Sequence, residues 1–131
     1  MRLYSVAEAR ALLPALLPVL TDIREAYVRL RALQAARGAE ARAASADGHL
    51  LVDPYEATAA PGESERLQSR IQAGIANLTK HGVELKDPAR GLIDFYHVRN
   101  GETVYLCFHL GEADIGYWHT IADGFAGRRP I

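Results

Sequence analysis

The stretch GLIDFYHVRNGETVYLCFHLGEADIGYWHTIADGFAGR, from Gly91 to Arg128, decides the fold. Its clearest signal is Asn100-Gly101, set between two runs with strand character. Asn-Gly suits a two-residue type I′ turn, in which both central residues take positive φ. With that turn Arg99 faces Glu102, and the pairs behind it follow by counting. His97 meets Val104, Tyr96 meets Tyr105, Phe95 meets Leu106, Asp94 meets Cys107, Ile93 meets Phe108 and Leu92 meets His109. Side chains alternate across a sheet, so Ile93, Phe95, His97, Val104, Leu106 and Phe108 share one face, which is mostly core material. The other face carries Leu92, Asp94, Tyr96, Tyr105, Cys107 and His109, where the chemistry collects. A one-residue slip would exchange the two faces, so any site argument depends on this register.

Downstream, Gly111-Glu112-Ala113-Asp114 reads as a turn and Ile115 to His119 as a fourth strand. In that strand adjacent Trp118 and His119 diverge, Trp118 toward the core and His119 to the polar side. The glycine-rich ending, Gly124 to Arg129, is expected to dock on the body. Upstream, Val83-Glu84-Leu85 alternates as a further strand, and Pro88 to Gly91 turns the chain into the hairpin.

The remainder reads as helix. Ser5 and Glu8 have capping-box spacing, which starts a helix near Val6. Pro14 lacks an N–H and clashes with the preceding turn. The expectation is therefore a short helix ending near Leu12 and a new one beginning near Pro14. Leu13, Leu16, Leu20, Ile23, Tyr27, Leu30 and Gln34 form a stripe, with Leu17 and Leu33 beside it, and Gly38 is a place for fraying. Glu63 to His81 is the second long helix, with Leu67, Ile71, Gly74, Ile75 and Leu78 as its stripe and Gly82 as the left-handed residue that ends it. Between them, SADGHLLVDPYEATAAPG (Ser45 to Gly62) is a loop, either a lid or disordered, in which Leu50 to Val52 could form a short tethered segment and His49 is a loop residue. The fold class is α+β: a short N-terminal helix, a long antiparallel helical hairpin, and a small antiparallel sheet built on Asn100-Gly101. One domain covers residues 1–131, helical over about 5–82 and β-rich over about 83–131.

Composition narrows the function classes. The chain of 131 residues is 49% hydrophobic and 24% charged, as soluble domains are. Fifteen basic residues against 16 acidic ones argue against a polyelectrolyte partner such as nucleic acid. A single cysteine excludes an internal disulfide, and no long apolar run or signal-peptide layout points to a membrane. Cytoplasm is the expected location. No P-loop, GxGxxG after a strand, HExxH or CxxC occurs, which removes the common nucleotide, zinc-protease and redox readings.

Three constellations remain. Cys107 and His109 lie two apart on a strand with Asp94 opposite Cys107, and Glu112, Asp114 and His119 return to the same end of the sheet. Thiolate, imidazole and carboxylate together suit zinc or another transition ion, although small buried cysteines beside surface histidines and acids are commonplace. A nucleophilic Cys107, activated by His109 or His119, requires a nearby cation or helix N-terminus to lower its pKa, and an opposing carboxylate would raise it instead. Gly124, Gly127 and Arg128 suit anion or ligand binding through close backbone approach and a bidentate guanidinium. The plainer alternative pairs Arg128 with Asp94, Glu112 or Asp123 and anchors the tail through Phe125.

The motifs GLIDF, YLC, LGE, YWH and GFAGR, in this order between Gly91 and Arg128, carry a resemblance, as does AxxLLPxL over Ala9 to Leu16. The chain resembles the prokaryotic family catalogued as domain of unknown function 2203, outside the region Gly38 to Gly62. The resemblance implies no activity. It places Asp94, Cys107, Glu112, Trp118, His119, Gly124, Gly127 and Arg128 on the family pattern. His109 departs from it, where arginine or lysine is usual, and so does Tyr96, where proline is usual. The first departure moves weight from His109 to Cys107, Glu112 and His119.

The first expected function is a small ligand- or metal-binding domain, with Cys107, Glu112, His119, Asp94 and His109 as candidate ligands and zinc as a candidate ion. The second is a dimeric structural or interaction module, whose helical hairpin binds a second copy or a protein partner. The third is a metal-dependent hydrolase using the same cluster.

Overall fold

Asn100 and Gly101 both carry positive φ, 51° and 77°, the turn that the dipeptide favours. In the computed structural model, which describes residues 1–45 and 59–131, this turn joins β2 (Leu92–Arg99) to β3 (Glu102–Phe108). The register runs as expected from Arg99↔Glu102 through Asp94↔Cys107 to Ile93↔Phe108. It stops one pair short of Leu92 and His109, because the His109 carbonyl accepts the Glu112 N–H and the chain turns away there.

The strands lie in sequence order. β1 (Val83–Asp87) flanks β2, with Glu84 opposite Asp94 and an irregularity between Leu85 and Asp87. β4 (Tyr117–Thr120) flanks β3, with His119 opposite Tyr105 and Tyr117 opposite Cys107. It begins two residues later than the expected Ile115. A fifth strand, β5 (Arg129–Pro130), pairs with β4 and fixes the docked tail.

The two helices are α1 (Val6–Ser45) and α2 (Glu63–Lys80). The reciprocal Ser5–Glu8 box starts α1, Ser5 N–H donating to Glu8 at 2.9 Å and Glu8 N–H to Ser5 Oγ at 3.0 Å. The expected short N-terminal helix is not separate: α1 runs unbroken through Pro14, Pro18 and Gly38. Each interior proline removes one hydrogen bond and costs about 3 kcal/mol relative to alanine. Both prolines are exposed, while Leu13, Leu16, Leu20 and Ile23 on the opposite side are buried. Burial of each such side chain stabilises by roughly 1.5–3 kcal/mol, enough to carry the helix through. Gln34, expected in the stripe, is exposed, and Leu33 with Ala36 takes its place.

The end of α2 follows the expected design. His81 N–H donates to Leu78 O, Gly82 N–H donates to Thr79 O, and Gly82 has φ 71°. Asp22–Arg70, Arg29–Glu63 and Arg37–Ser64 contacts tie the helices antiparallel. Leu13 to Ile23 pack with Ile93, Phe95, Leu106 and Phe108, so the helices cover one face of the sheet. Ala26, Leu33, Leu67 and Ile71 form a second cluster between the helices alone. The loop expected over 45–62, with His49 and Leu50 to Val52, lies almost wholly outside the described residues. Among those residues no helix is long and apolar enough to cross a membrane.

Candidate metal centre

The sheet face away from the helices carries Glu84, Asp94, Tyr96, Tyr105, Cys107 and His119, as strand alternation demands. Three of these converge. Asp94 on β2, Cys107 on β3 and His119 on β4 present one carboxylate oxygen, one sulfur and one ring nitrogen, all within 4.8 Å of one another. All three are at most 2% exposed. The neighbouring Trp118, expected in the core, is only half-buried and packs at the core's margin, so His119 is the deeper of the two.

Hydrogen bonding fixes the His119 ring. Its Nδ1 lies 2.8 Å from the Thr120 carbonyl oxygen and its Nε2 lies 3.1 Å from Asp94 Oδ1. A carbonyl only accepts, so Nδ1 carries a proton and donates it. Nε2 then faces Asp94 across a hydrogen bond holding one further proton, which either group can own. Burial raises the Asp94 carboxyl above its usual range, opposed by the His119 charge and by the hydrogen bond from the Cys107 thiol. Burial also pushes Cys107 up to about 12, with the Asp94 charge acting in the same direction. These are the opposite of the conditions that activate a cysteine nucleophile.

The set of one oxygen, one nitrogen and one sulfur suits zinc, and three protein ligands leave a fourth tetrahedral position open. Ligand atoms around such an ion stand about 3.3–3.8 Å apart at usual bond lengths, so the observed spread needs only modest closure. The Nδ1–H bond to a backbone carbonyl is the outer contact that orients metal-bound histidines and leaves Nε2 for the ion.

A pocket of about 170 Å³ opens over Asp94 and His119. Its lining mixes polar Lys86 and Tyr105 with apolar Leu92, Ile121 and Phe125, and includes Gly124. Lys86 donates to Glu84 at 2.5 Å, and Tyr105 donates to the same carboxylate at 3.1 Å. Tyr96 donates to its other oxygen. The Lys86 bond, ahead of that from Tyr96, holds the Glu84 carboxyl below its usual range.

The other candidates lie elsewhere. Glu112 accepts from Arg128 Nη2 at 2.6 and 2.8 Å, and the same nitrogen reaches the Cys107 carbonyl at 3.4 Å. The guanidinium lies over the Tyr117 ring at 4.1 Å and the Phe125 ring at 4.8 Å. His109 directs Nδ1 at the Leu110 carbonyl, 2.8 Å away, and receives the Glu112 carboxylate on its backbone N–H. Gly127 packs so tightly that a Cβ there would fall 2.4 Å from Asp123 Cβ. The structure thus brings Asp94, Cys107 and His119 together and does not bring Glu112 or His109 to them. Lys86 was missed as a site residue. Its signal was the Glu84–Lys86 spacing, which places both on one face, but the register of β1 against β2 cannot be counted through the irregular pairing after Leu85.

A family model described as "Uncharacterized conserved protein (DUF2203)" matches residues 2–131. No curated protein and no solved structure matches the chain.

Proposed function

We propose that this chain, which belongs to the DUF2203 family, is a metal-binding domain holding a zinc-like ion through Asp94, Cys107 and His119. The observation that carries the reading is the His119 ring. Its Nδ1 is committed to Thr120, and its Nε2 stands among a carboxylate and a thiol within 4.8 Å. An ion there would displace the proton shared by Asp94 and His119 and the thiol proton of Cys107, since ligands must be deprotonated. The two negative charges of Asp94 and Cys107 would balance a divalent ion, which removes much of the cost of burying it.

Binding is better supported than hydrolysis. A hydrolase needs a base beside the metal-held water, and both groups of that kind lining the pocket, Asp94 and His119, are spent as ligands. Among the described residues the remaining polar side chains of the pocket are Lys86 and Tyr105.

The test is elemental analysis by mass spectrometry on untagged protein beside Cys107→Ser and His119→Ala. Near-stoichiometric metal in the parent, lost in both variants, is the expected result. Metal-free parent from several growth media, with no uptake of added zinc, sinks the reading.

A further inference from the structure

The pocket over Asp94 and His119 has a chemistry of its own, which depends on an ion being held between these two and Cys107. We propose, resting on the metal reading, that it is a site for a short-chain carboxylate, whose charged end meets Lys86 and the open metal position and whose aliphatic end lies on Leu92, Ile121 and Phe125.

Size sets the first limit. A volume of about 170 Å³ corresponds to about five or six waters at ~30 Å³ each, which suits an acid of about two to four carbons. The second limit is the mixed lining, in which polar Lys86 and Tyr105 accompany apolar Leu92, Ile121 and Phe125. A phosphate carries oxygens on every side and would press some of them against Leu92, Ile121 and Phe125 without hydrogen bonds, which is costly. A carboxylate with an aliphatic tail has one polar end and one apolar end, and so suits a lining of both kinds.

Charge supplies the third argument. Lys86 donates to Glu84, a carboxylate that two hydroxyls also hold. The Tyr96 hydroxyl occupies one carboxylate oxygen and the Tyr105 hydroxyl the other. Lys86 can therefore turn its ammonium into the pocket while both oxygens of Glu84 stay bonded. Its stem lies along the pocket wall with the ammonium 4.8 Å from the Tyr105 ring centroid. Arg90 lays its guanidinium against the ring of Phe125, 4.2 Å from the centroid, which brings a second cation next to a lining residue.

The experiment uses cobalt(II) in place of zinc, because its visible spectrum reports a change at the fourth position. Parent, Lys86→Met and Lys86→Arg are loaded with cobalt and titrated with propionate and with inorganic phosphate. Propionate is expected to shift the parent spectrum saturably, and phosphate is not. Lys86→Met should weaken propionate by at least about tenfold, the order of one charged hydrogen bond, and Lys86→Arg should keep most of it. Cobalt that binds without any propionate response overturns this proposal alone, as does phosphate binding at least as tightly, or an unchanged Lys86→Met. Failure of cobalt to bind the parent overturns the metal reading and this one with it.

Discussion

At the scale of single residues, Asp94 is the more informative partner of its pair. Its carboxyl faces His119 Nε2 and accepts the Cys107 thiol, while His119 Nδ1–H is held by Thr120. An asparagine there can reproduce that pattern with no charge. Its amide donates to Nε2 and its carbonyl accepts the thiol, and the Nδ1–H tautomer remains correct. Asp94→Asn should therefore fold within about 1 kcal/mol of the parent yet lose metal, whereas Asp94→Ala should cost roughly 2–4 kcal/mol by leaving Nε2 buried and unpaired. Chemical denaturation beside a zinc titration separates the two effects. Equal destabilisation by both substitutions would show that the tautomer argument is wrong. That Asp94 faces Cys107 was legible in the sequence, because an Asn-Gly turn and alternating side chains make register a matter of counting. That His119 joins them rather than His109 could not be counted from the register, and only the family resemblance favoured it. His109 lies just past the last paired residue of β3, where the chain turns toward Glu112, and β4 alone decides which side chain crosses to Asp94.

At the scale of elements, the α1–α2 contact is set by close approach at Gly74. A Cβ at this position would fall 2.4 Å from Ile23 Cγ1 and 2.7 Å from its Cδ1, and Ile23 is wholly buried. Glycine in a helix costs about 1 kcal/mol against alanine, so on propensity alone Gly74→Ala should stabilise. Overpacking at a buried contact costs typically 1–3 kcal/mol and wins here, because Ile23 has nowhere to move. A net loss of about 1 kcal/mol or more is expected, relieved when Ile23→Ala is combined with it; a more stable Gly74→Ala protein would show that the helices can part freely. The stripe on α2 placed Gly74 at this interface from sequence, and Gly82 marked its end, since both signals are local. The continuity of α1 was hidden for the opposite reason. The penalty at Pro14 and Pro18 is local and visible, whereas the compensation comes from Phe95, Leu106 and Phe108, far along the chain. β5 was hidden likewise, as two residues at a sheet edge carry no periodicity to read.

At the scale of the molecule, the proposed ion would act on an asymmetric structure. The helices cover one sheet face and bury the large side chains there, so β2 and β3 are anchored by the main core. β4 is four residues long and followed by a two-residue partner; it shares that core mainly through half-buried Trp118. Asp94 and Cys107 sit on the anchored strands and His119 on β4, so a shared ion would tie the weaker edge to the stronger centre. Binding to the folded state alone adds about 2.7 kcal/mol at a hundredfold excess over Kd. For a domain of this length that corresponds to a rise in Tm of roughly 10 °C, lessened by whatever zinc the unfolded thiol retains. The rise should be accompanied by hydrogen-exchange protection concentrated in Tyr117–Thr120 and the tail through Arg128, with little change where Leu33 and Leu67 pair the helices. Zinc that raises Tm but protects the helical hairpin equally would indicate binding elsewhere. Zinc that protects β4 in the parent and not in His119→Ala would place the ion across the three strands, because only His119 joins β4 to the other two ligands.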